Sequence, residues 1–513
     1  MRAQLRAVLA LPLLLVPALA LAQPAPPKRP ENPMPTAVDV HHRPQAPVSL
    51  EAAQSEAKAI EAQLREPFPG EGGKPALRLV EVTPFGAGVV QHWQLANGLS
   101  VLLAPDASAP VVALHTWVRV GSAHEVAGKT GLAHLFEHLM FKSTRTRPAG
   151  TFDRVLEQLG ASANAMTSFD WTAFHETVPP QHLATVLELE ADRLTQLDLT
   201  AAALRSELEV VRNERREVVD NDADGVVDEA LHKAIYGEHP YGHPTIGTAE
   251  DLEKLSLADA KDFHRQFYTP GRVTLVLAGG FDPALVLRDI ARLYLHIPAG
   301  KDAAEGKPAA PPAKGSLITT EIDAGAERLA IAWRIVPGDH ADHPALSVLA
   351  EVLFNADSAR LQRKLVHDLQ LASAASGSVT QTKLVGLFDV HVVLAPGKHA
   401  RDALAAVDAG ITALCSDKPV SEAELAAAKN RLRMEHFREL TGVDGRAETL
   451  GVQWTAFGDL AGHARWWQAV ANVSTSDLHR VARSWLQKGT RAIVIGTPPE
   501  PRVSLASGKG KRR

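Results

Sequence analysis

One cysteine stands in 513 residues, and its isolation excludes a whole means of stabilisation. Cys415 has no partner for an internal disulfide, so the chain must rely on packed cores and on any bound metal. A lone thiol of this kind reads as a small buried hydrophobe rather than a nucleophile. Excess charge of one sign is missing as well. A formal net charge of −5 and a pI near 6.5 give no reason to expect nucleic acid as a partner. Long apolar runs are absent after the first 22 residues. That opening run follows Arg2 and Arg6, is broken by Pro12 and Pro17, and ends in Ala20-Leu21-Ala22. It is too short and interrupted for a spanning anchor and predicts a cleavable secretory signal, 1–22, that leaves no membrane anchor after the cut. With no cysteine at the cut, a lipid anchor is excluded. Export is therefore expected, into the periplasm of a double-membraned bacterial host.

What is present suffices for large cores, since 45% of residues are hydrophobic and 22% charged. The length implies more than one domain. Composition sets the expected boundaries: a Pro/Ala-rich leader, 23–80, carrying one helical piece at 49–64; a first domain, 81–299; the linker "GKDAAEGKPAAPPAKG", 300–315; a second domain, 316–500; and a solvated basic tail, 501–513. Folded structure is expected to begin near Val89. "HWQLANGLSVLLAPD" predicts a hairpin about Asn97-Gly98, and "VVALHTWVRVG" a further strand. A helix is expected at 151–159, strand structure in "NAMTSFDWTAFHETV", and long helical periodicity from Gln181 to about Val219.

The chain also repeats itself. Residues 255–279 align without a gap on residues 473–497, at an offset of 218, each a helix leading through a glycine turn into a buried strand. Two similar α+β domains follow, each a mainly antiparallel sheet packed with helices.

The chemistry concentrates in "GLAHLFEHLMF", 131–141. A helix stacks His134 and His138, four residues apart, on one face, where both imidazoles can reach one ion. Glu137 borders that face and could act on a water beside the ion without binding the ion itself. H-x-x-E-H is the inverzincin order, the mirror of H-E-x-x-H. At the repeat offset the counterpart, "HPALSVLAEVLFN", has no histidine pair, so only the first half can carry such a site. A catalytic zinc usually takes three protein ligands and leaves a fourth position for water. In "LRSELEVVRNERREVV" a single helical face carries Leu204, Glu207, Val211, Glu214 and Val218. Two acids in an apolar stripe are costly unless paired or bound to metal, so either could supply the third ligand, or both could sit at a boundary with arginines.

His134, Glu137 and His138, with Glu214 76 residues beyond His138 and Glu207 seven before that, resemble the pitrilysin and insulinase family of zinc peptidases, which includes mitochondrial processing peptidase. The resemblance extends over "GASANAMTSFDWTAF" and "HPYGHPTIGTAEDLEKL" and on through the second domain. It implies His134, His138 and Glu214 as ligands of Zn2+, Glu137 as general base, and Glu207 as an acid supporting the ligand set. It further implies that "SANAMTSF" is an edge strand pairing with an extended substrate, with main-chain bonds around Asn164 and Ala165. Two such domains would form half of a clam-like chamber. One departure stands out. Where self-sufficient members carry an Arg and a Tyr that contact substrate, this chain has "LVHDLQLASAASG", with His367 near the first position and Ser373 at the second. A related subunit lacking the zinc motif is therefore expected to complete a heterodimer, in preference to a homodimer.

The expectation is an exported zinc endopeptidase acting on short or unfolded peptides, with a non-catalytic scaffold subunit of the same fold as the alternative. Two other patterns are weaker. "DNDADGVVDEAL", 220–231, has acids at positions 1, 3, 5 and 9 of a calcium loop but Leu231 where a bidentate glutamate belongs, and reads as a solvated acidic turn. "HPYGH", with His239 and His243, reads as a structural loop rather than a second metal site.

Overall fold

The computed structural model describes residues 49–70, 75–300, 315–416 and 419–499. The expected signal 1–22 and tail 501–513, most of the leader and nearly all of the linker lie outside the described residues.

Among the described residues helix α1 (Leu50–Leu64) comes first, capped by Ser49. Strands β1 (Leu77–Phe85), β2 (Gly88–Leu95), β3 (Ser100–Pro105) and β4 (Val112–Val118) follow, then helices α2 (Leu132–Leu139) and α3 (Thr151–Gln158). The hairpin β5 (Ser162–Thr167) and β6 (Thr172–Val178) leads into α4 (Leu183–Gln196), α5 (Ala201–Arg215), α6 (Ala223–Tyr236) and α7 (Leu257–Phe267). Strand β7 (Val273–Gly279) and α8 (Pro283–Tyr294) complete the first half. The second half runs β8 (Ser316–Glu321), β9 (Arg328–Ile335), α9 (His343–Leu353), β10 (Ala372–Val379), β11 (Gly386–Leu394), α10 (Ala400–Cys415), α11 (Glu422–Thr441), α12 (Val443–Phe457), α13 (Gly462–Asn472), α14 (Thr475–Trp485) and β12 (Arg491–Thr497).

The strands form two sheets, ordered β1-β2-β3-β7-β4-β6-β5 and β10-β11-β9-β12-β8. Read from the far end, the last five strands of the first sheet match the second strand for strand, and in each the β7 or β12 strand makes the parallel pair, with β3 or β8. The aligned repeat falls on α7–β7 and α14–β12 with the same offset of 218 at every boundary. Both helices open with the same capping box, Ser256 with Asp259 and Ser474 with Asp477. The fold is α+β with two similar sheet-and-helix units, as the repeat implies.

Alternation along β4 and β6 gives the first sheet two apolar faces. On one, Leu114, Val118, Phe174 and Val178 pack with α2, α4 and α5 in the main core. The other face is covered by a helix from the far end of the chain. Val443, Ala447 and Leu450 of α12 lie on Trp117, Ala173, Val276 and Ala278. The second sheet is treated in the same way. Val227, Leu231 and Ile235 of α6, from the first half, lie on Ala330, Ala332, Ala492 and Val494. Each half thus lends one helix to the other's sheet, and alanines at the contacts allow the close approach.

Several local expectations change. Regular structure starts before Val89, because β1 pairs with β2 and α1 packs through Ala57, Ile60 and Leu64 on the same core. The helical periodicity expected from Gln181 to about Val219 falls into two helices, parted where Leu197 turns extended and Thr200 caps α5. Val218 is exposed where the stripe expects burial. A π turn at Arg216–Asp220 adds a residue to the helical period, and Val219 takes the buried place. Cys415 is half-buried rather than buried.

The acidic segment is not a calcium loop and is barely a turn. Asp222 caps α6, accepting from Gly225 N at 2.8 Å, and residues 223–236 are helical. Its acids diverge to separate partners: Asp220 to Arg215, Asp224 to Arg328 and Asp228 to His391. Gly225 is there for packing, since a Cβ would stand 2.3 Å from Val218 O. In "HPYGH", His239 Nδ1 accepts from Tyr241 N while His243 turns to Pro244 O and Glu125, so the two rings do not converge.

Candidate active site

Helix α2 begins in a confined place. Gly131, at φ 95°, caps it, and a Cβ there would strike Ile246 O at 2.7 Å and the Leu252 side chain at 2.8 Å. The carboxylate of Glu125 serves the helix start, Oε2 accepting from Gly131 N at 2.9 Å and Oε1 from Ala133 N at 2.7 Å. Burial pushes Glu125 up to about 8, against the pull of these two N–H donors. Leu132, Leu135, Phe136 and Leu139 anchor the helix in the core, which turns His134 and His138 toward α5.

There the rings meet Glu214. His134 Nε2 stands 3.6 Å from Glu214 Oε1 and His138 Nε2 3.3 Å from Glu214 Oε2, with ring centroids 4.9 Å apart. One donor atom from each residue lies within 4.8 Å of the other two. Glu207 approaches from behind, Oε2 at 3.8 Å from His138 Nδ1, and its other oxygen takes Lys142 Nζ at 2.9 Å. Its side chain is only 4% exposed, and the lysine offsets the cost of burying the charge. Glu137 is held by another element: Thr167 Oγ1, at the end of β5, donates to Glu137 Oε2 at 2.6 Å. The other oxygen is left for chemistry.

Burial holds His134 below the ordinary imidazole range. At His138 the burial penalty is outweighed by Glu214, Glu137 and Glu207, which raise it. Burial alone would raise Glu214, but the two imidazoles hold it below the usual carboxylate range. Two imidazoles and one carboxylate, converging from two helices, are the donor set of a hydrolytic zinc site with an open position, and the residues fit that ion.

Among the described residues β5 is the outer strand of its sheet, paired with β6 alone. Asn164 is exposed and Ala165 buried, and Asn164 Oδ1 accepts from the Ala165 N–H at 2.9 Å. Residues 162–164 face solvent beside α2. In the second half, β10 is likewise an outer strand; Ser373 lies on it and donates to Val393 O at 3.3 Å, while His367 sits in a π turn, Arg363–Asp368.

Glu125, Lys142 and Thr167 escaped sequence reasoning. Glu125 and Lys142 lie within nine residues of the histidines, yet nothing in a charge pattern says which charges turn inward. Thr167 is reached only through the β5 hairpin.

Fold and site together define a two-unit α+β protein with a candidate metal centre of inverzincin order in its first half. Residues 100–249 match the family described as Insulinase (Peptidase family M16), and residues 254–432 match the Peptidase M16 inactive domain. The chain belongs to this peptidase family. It is 27% identical over 415 residues to the zinc protease PqqE of Helicobacter pylori, covering 79% of this chain and 92% of that protein. It is also 27% identical over 418 residues to the mitochondrial-processing peptidase subunit beta of Blastocladiella emersonii, covering 80% and 89%. A crystal structure of a protease from Helicobacter pylori superposes with a TM-score of 0.77 at 28% identity, over 80% of this chain and 99% of that one. A peptidase M16 inactive domain from Pseudomonas fluorescens shares the fold, with a TM-score of 0.73 at 20% identity, over 80% and 98%.

Proposed function

We propose that the chain is an exported, zinc-dependent endopeptidase that cleaves short or unfolded peptides, working in the periplasm as the active member of a pair with a related subunit lacking the zinc motif. His134, His138 and Glu214 hold the ion, and Glu207 steadies His138 from behind. Zinc bound there supplies Lewis-acid polarisation of a scissile carbonyl and of a water. Glu137 accepts the proton of the attacking water on its free oxygen and delivers it to the departing amine nitrogen. Thr167 fixes the orientation of that carboxylate. An extended peptide adds to the free edge of β5, around Asn164 and Ala165, where main-chain bonds give grip without sequence preference. To receive it, Ala165 N–H must exchange the Asn164 side chain for the peptide.

The observation that carries the reading is Glu137, an acid beside three convergent donors and tied by Thr167 to the strand that would receive substrate. A purely structural subunit has no physical need for it. Glu137→Gln is expected to abolish peptide cleavage while the zinc content stays that of the parent protein. Cleavage that survives the substitution removes Glu137 as base. The partner rests on His367 and Ser373, which offer neither the guanidinium nor the phenol that would contact substrate from the second half. Full activity of the purified chain alone, with no gain from any related subunit, would overturn the pairing.

A further inference from the structure

The outer face of the first sheet carries a second group of ligand-type side chains. His115 of β4 and His175 of β6 are direct cross-strand partners, their rings 5.1 Å apart. Asp444, in the first turn of α12, reaches both. Its Oδ1 lies 2.9 Å from His115 Nε2 and 3.5 Å from His175 Nδ1. The three donor atoms lie within 4.8 Å of one another, the closeness found in the His134–His138–Glu214 group. Donors bonded to one tetrahedral ion at about 2.0–2.2 Å stand roughly 3–3.5 Å apart, so little movement is needed to close the set.

The cationic side chain nearest Asp444 in sequence is engaged elsewhere. Arg446, two residues on, is committed to Asp106 at 2.7 Å. His115 is fully buried and its Nδ1 has no hydrogen-bond partner, while Nε2 donates to Asp444; an ion takes the place of that hydrogen, with the proton moving to Nδ1, where no protein group competes for it. The side chains of His175 and Asp444 are 17% and 49% exposed, which gives an ion a way in and leaves room for water.

The matching place in the second half is built differently. There His391 of β11 meets Asp228, in the second turn of α6, at 3.4 Å and Asp389 of its own strand at 3.1 Å, and its cross-strand partner on β9 is Ala330. The halves share the His–Asp contact, and the first half adds the second imidazole.

We propose that His115, His175 and Asp444 form a second, structural zinc site that fastens α12 of the second half to the sheet of the first. Two imidazoles and a carboxylate suit zinc, whereas calcium and magnesium favour all-oxygen sets.

The test uses the full chain in a His134→Ala, His138→Ala background, which removes the other centre, stripped with chelator and checked for folding by circular dichroism. Titration with zinc is expected to give one bound equivalent and a raised thermal midpoint. Adding His175→Ala, or separately the near-isosteric Asp444→Asn, is expected to weaken binding at least tenfold and to abolish the thermal shift. No zinc bound in the background protein would overturn the inference, as would zinc held equally tightly after either substitution. These results leave the peptidase reading untouched, since that reading is tested by Glu137→Gln in the otherwise native chain.

Discussion

Gly451→Ala tests whether the two halves are interlocked through α12. A Cβ on Gly451 would stand 2.0 Å from Trp117 Cε2, 2.1 Å from Nε1 and 2.5 Å from Cζ2. Carbon atoms in contact need about 3.5–4.0 Å, so the methyl overlaps the ring by about 1.5 Å or more. Trp117 has nowhere to go: it is wholly buried, with its ring 4.7 Å from that of Trp171 and within the cluster of Val276, Ala447 and Leu450. The helix must lift from the sheet. Overpacking costs about 1–3 kcal/mol, and alanine recovers about 1 kcal/mol of helix propensity over glycine. With overlap this deep and a rigid partner, the net loss is expected near 2 kcal/mol. Urea unfolding followed by circular dichroism measures it, and amide exchange along α12 localises it. Gly442→Ala is the control, because nothing lies within 4 Å of a Cβ at that position. Equal stability of the two variants would refute the packing argument.

Three other outcomes follow from the same structure. Thr167→Val removes the hydrogen bond that orients Glu137, and is expected to lower kcat by roughly tenfold with zinc content unchanged; an unaltered kcat would show that the bond does not position the base. Arg193→Met leaves Glu190 and Glu176, both wholly buried and bonded to the guanidinium at 2.7 and 3.0 Å, without a counter-charge, and is expected to destabilise by about 3–5 kcal/mol in urea; a loss below 1 kcal/mol contradicts the role given to the network. His391 faces a burial penalty, but Asp228 and Asp389 hold it up to about 9. Its folded value lies above the ordinary 6.5, so its stabilisation is complete below pH 6.5 and lost as pH rises through 9. Allowing for the ring's partial exposure, the difference between the native chain and His391→Gln is expected to shrink by on the order of 2 kcal/mol over that range. A difference that stays constant with pH would remove His391 as the cause.

The parts of this fold that were legible in the sequence are those fixed by local chemistry. Asn97-Gly98 marks the β2–β3 turn, and the Ser-x-x-Asp boxes recur at one offset because each starts the same helix-to-strand unit. The helix of His134 and His138 was legible because imidazole spacing and helical period coincide. The π turn after Arg215 was not, since a slipped hydrogen-bond register leaves no mark in an apolar stripe. Strand β1 leaves little signal in the sequence because it is half-exposed and lacks alternation. Least legible was the exchange of α6 and α12. Their apolar faces show that they are covered, but not by which sheet, and His115, His175 and Asp444 meet only through that exchange. Glu214 could be selected over Glu207 by resemblance alone, whereas the structure distinguishes them by partner: Lys142 engages Glu207, and both imidazoles face Glu214.

The central claim is that His134, His138 and Glu214 converge on one ion. Anomalous diffraction at the zinc edge from crystals of the zinc-loaded chain tests it most directly. A peak about 2.0–2.2 Å from His134 Nε2, His138 Nε2 and a Glu214 oxygen is predicted. A metal bound to the two histidines with Glu214 turned away, or no peak between them, would contradict it.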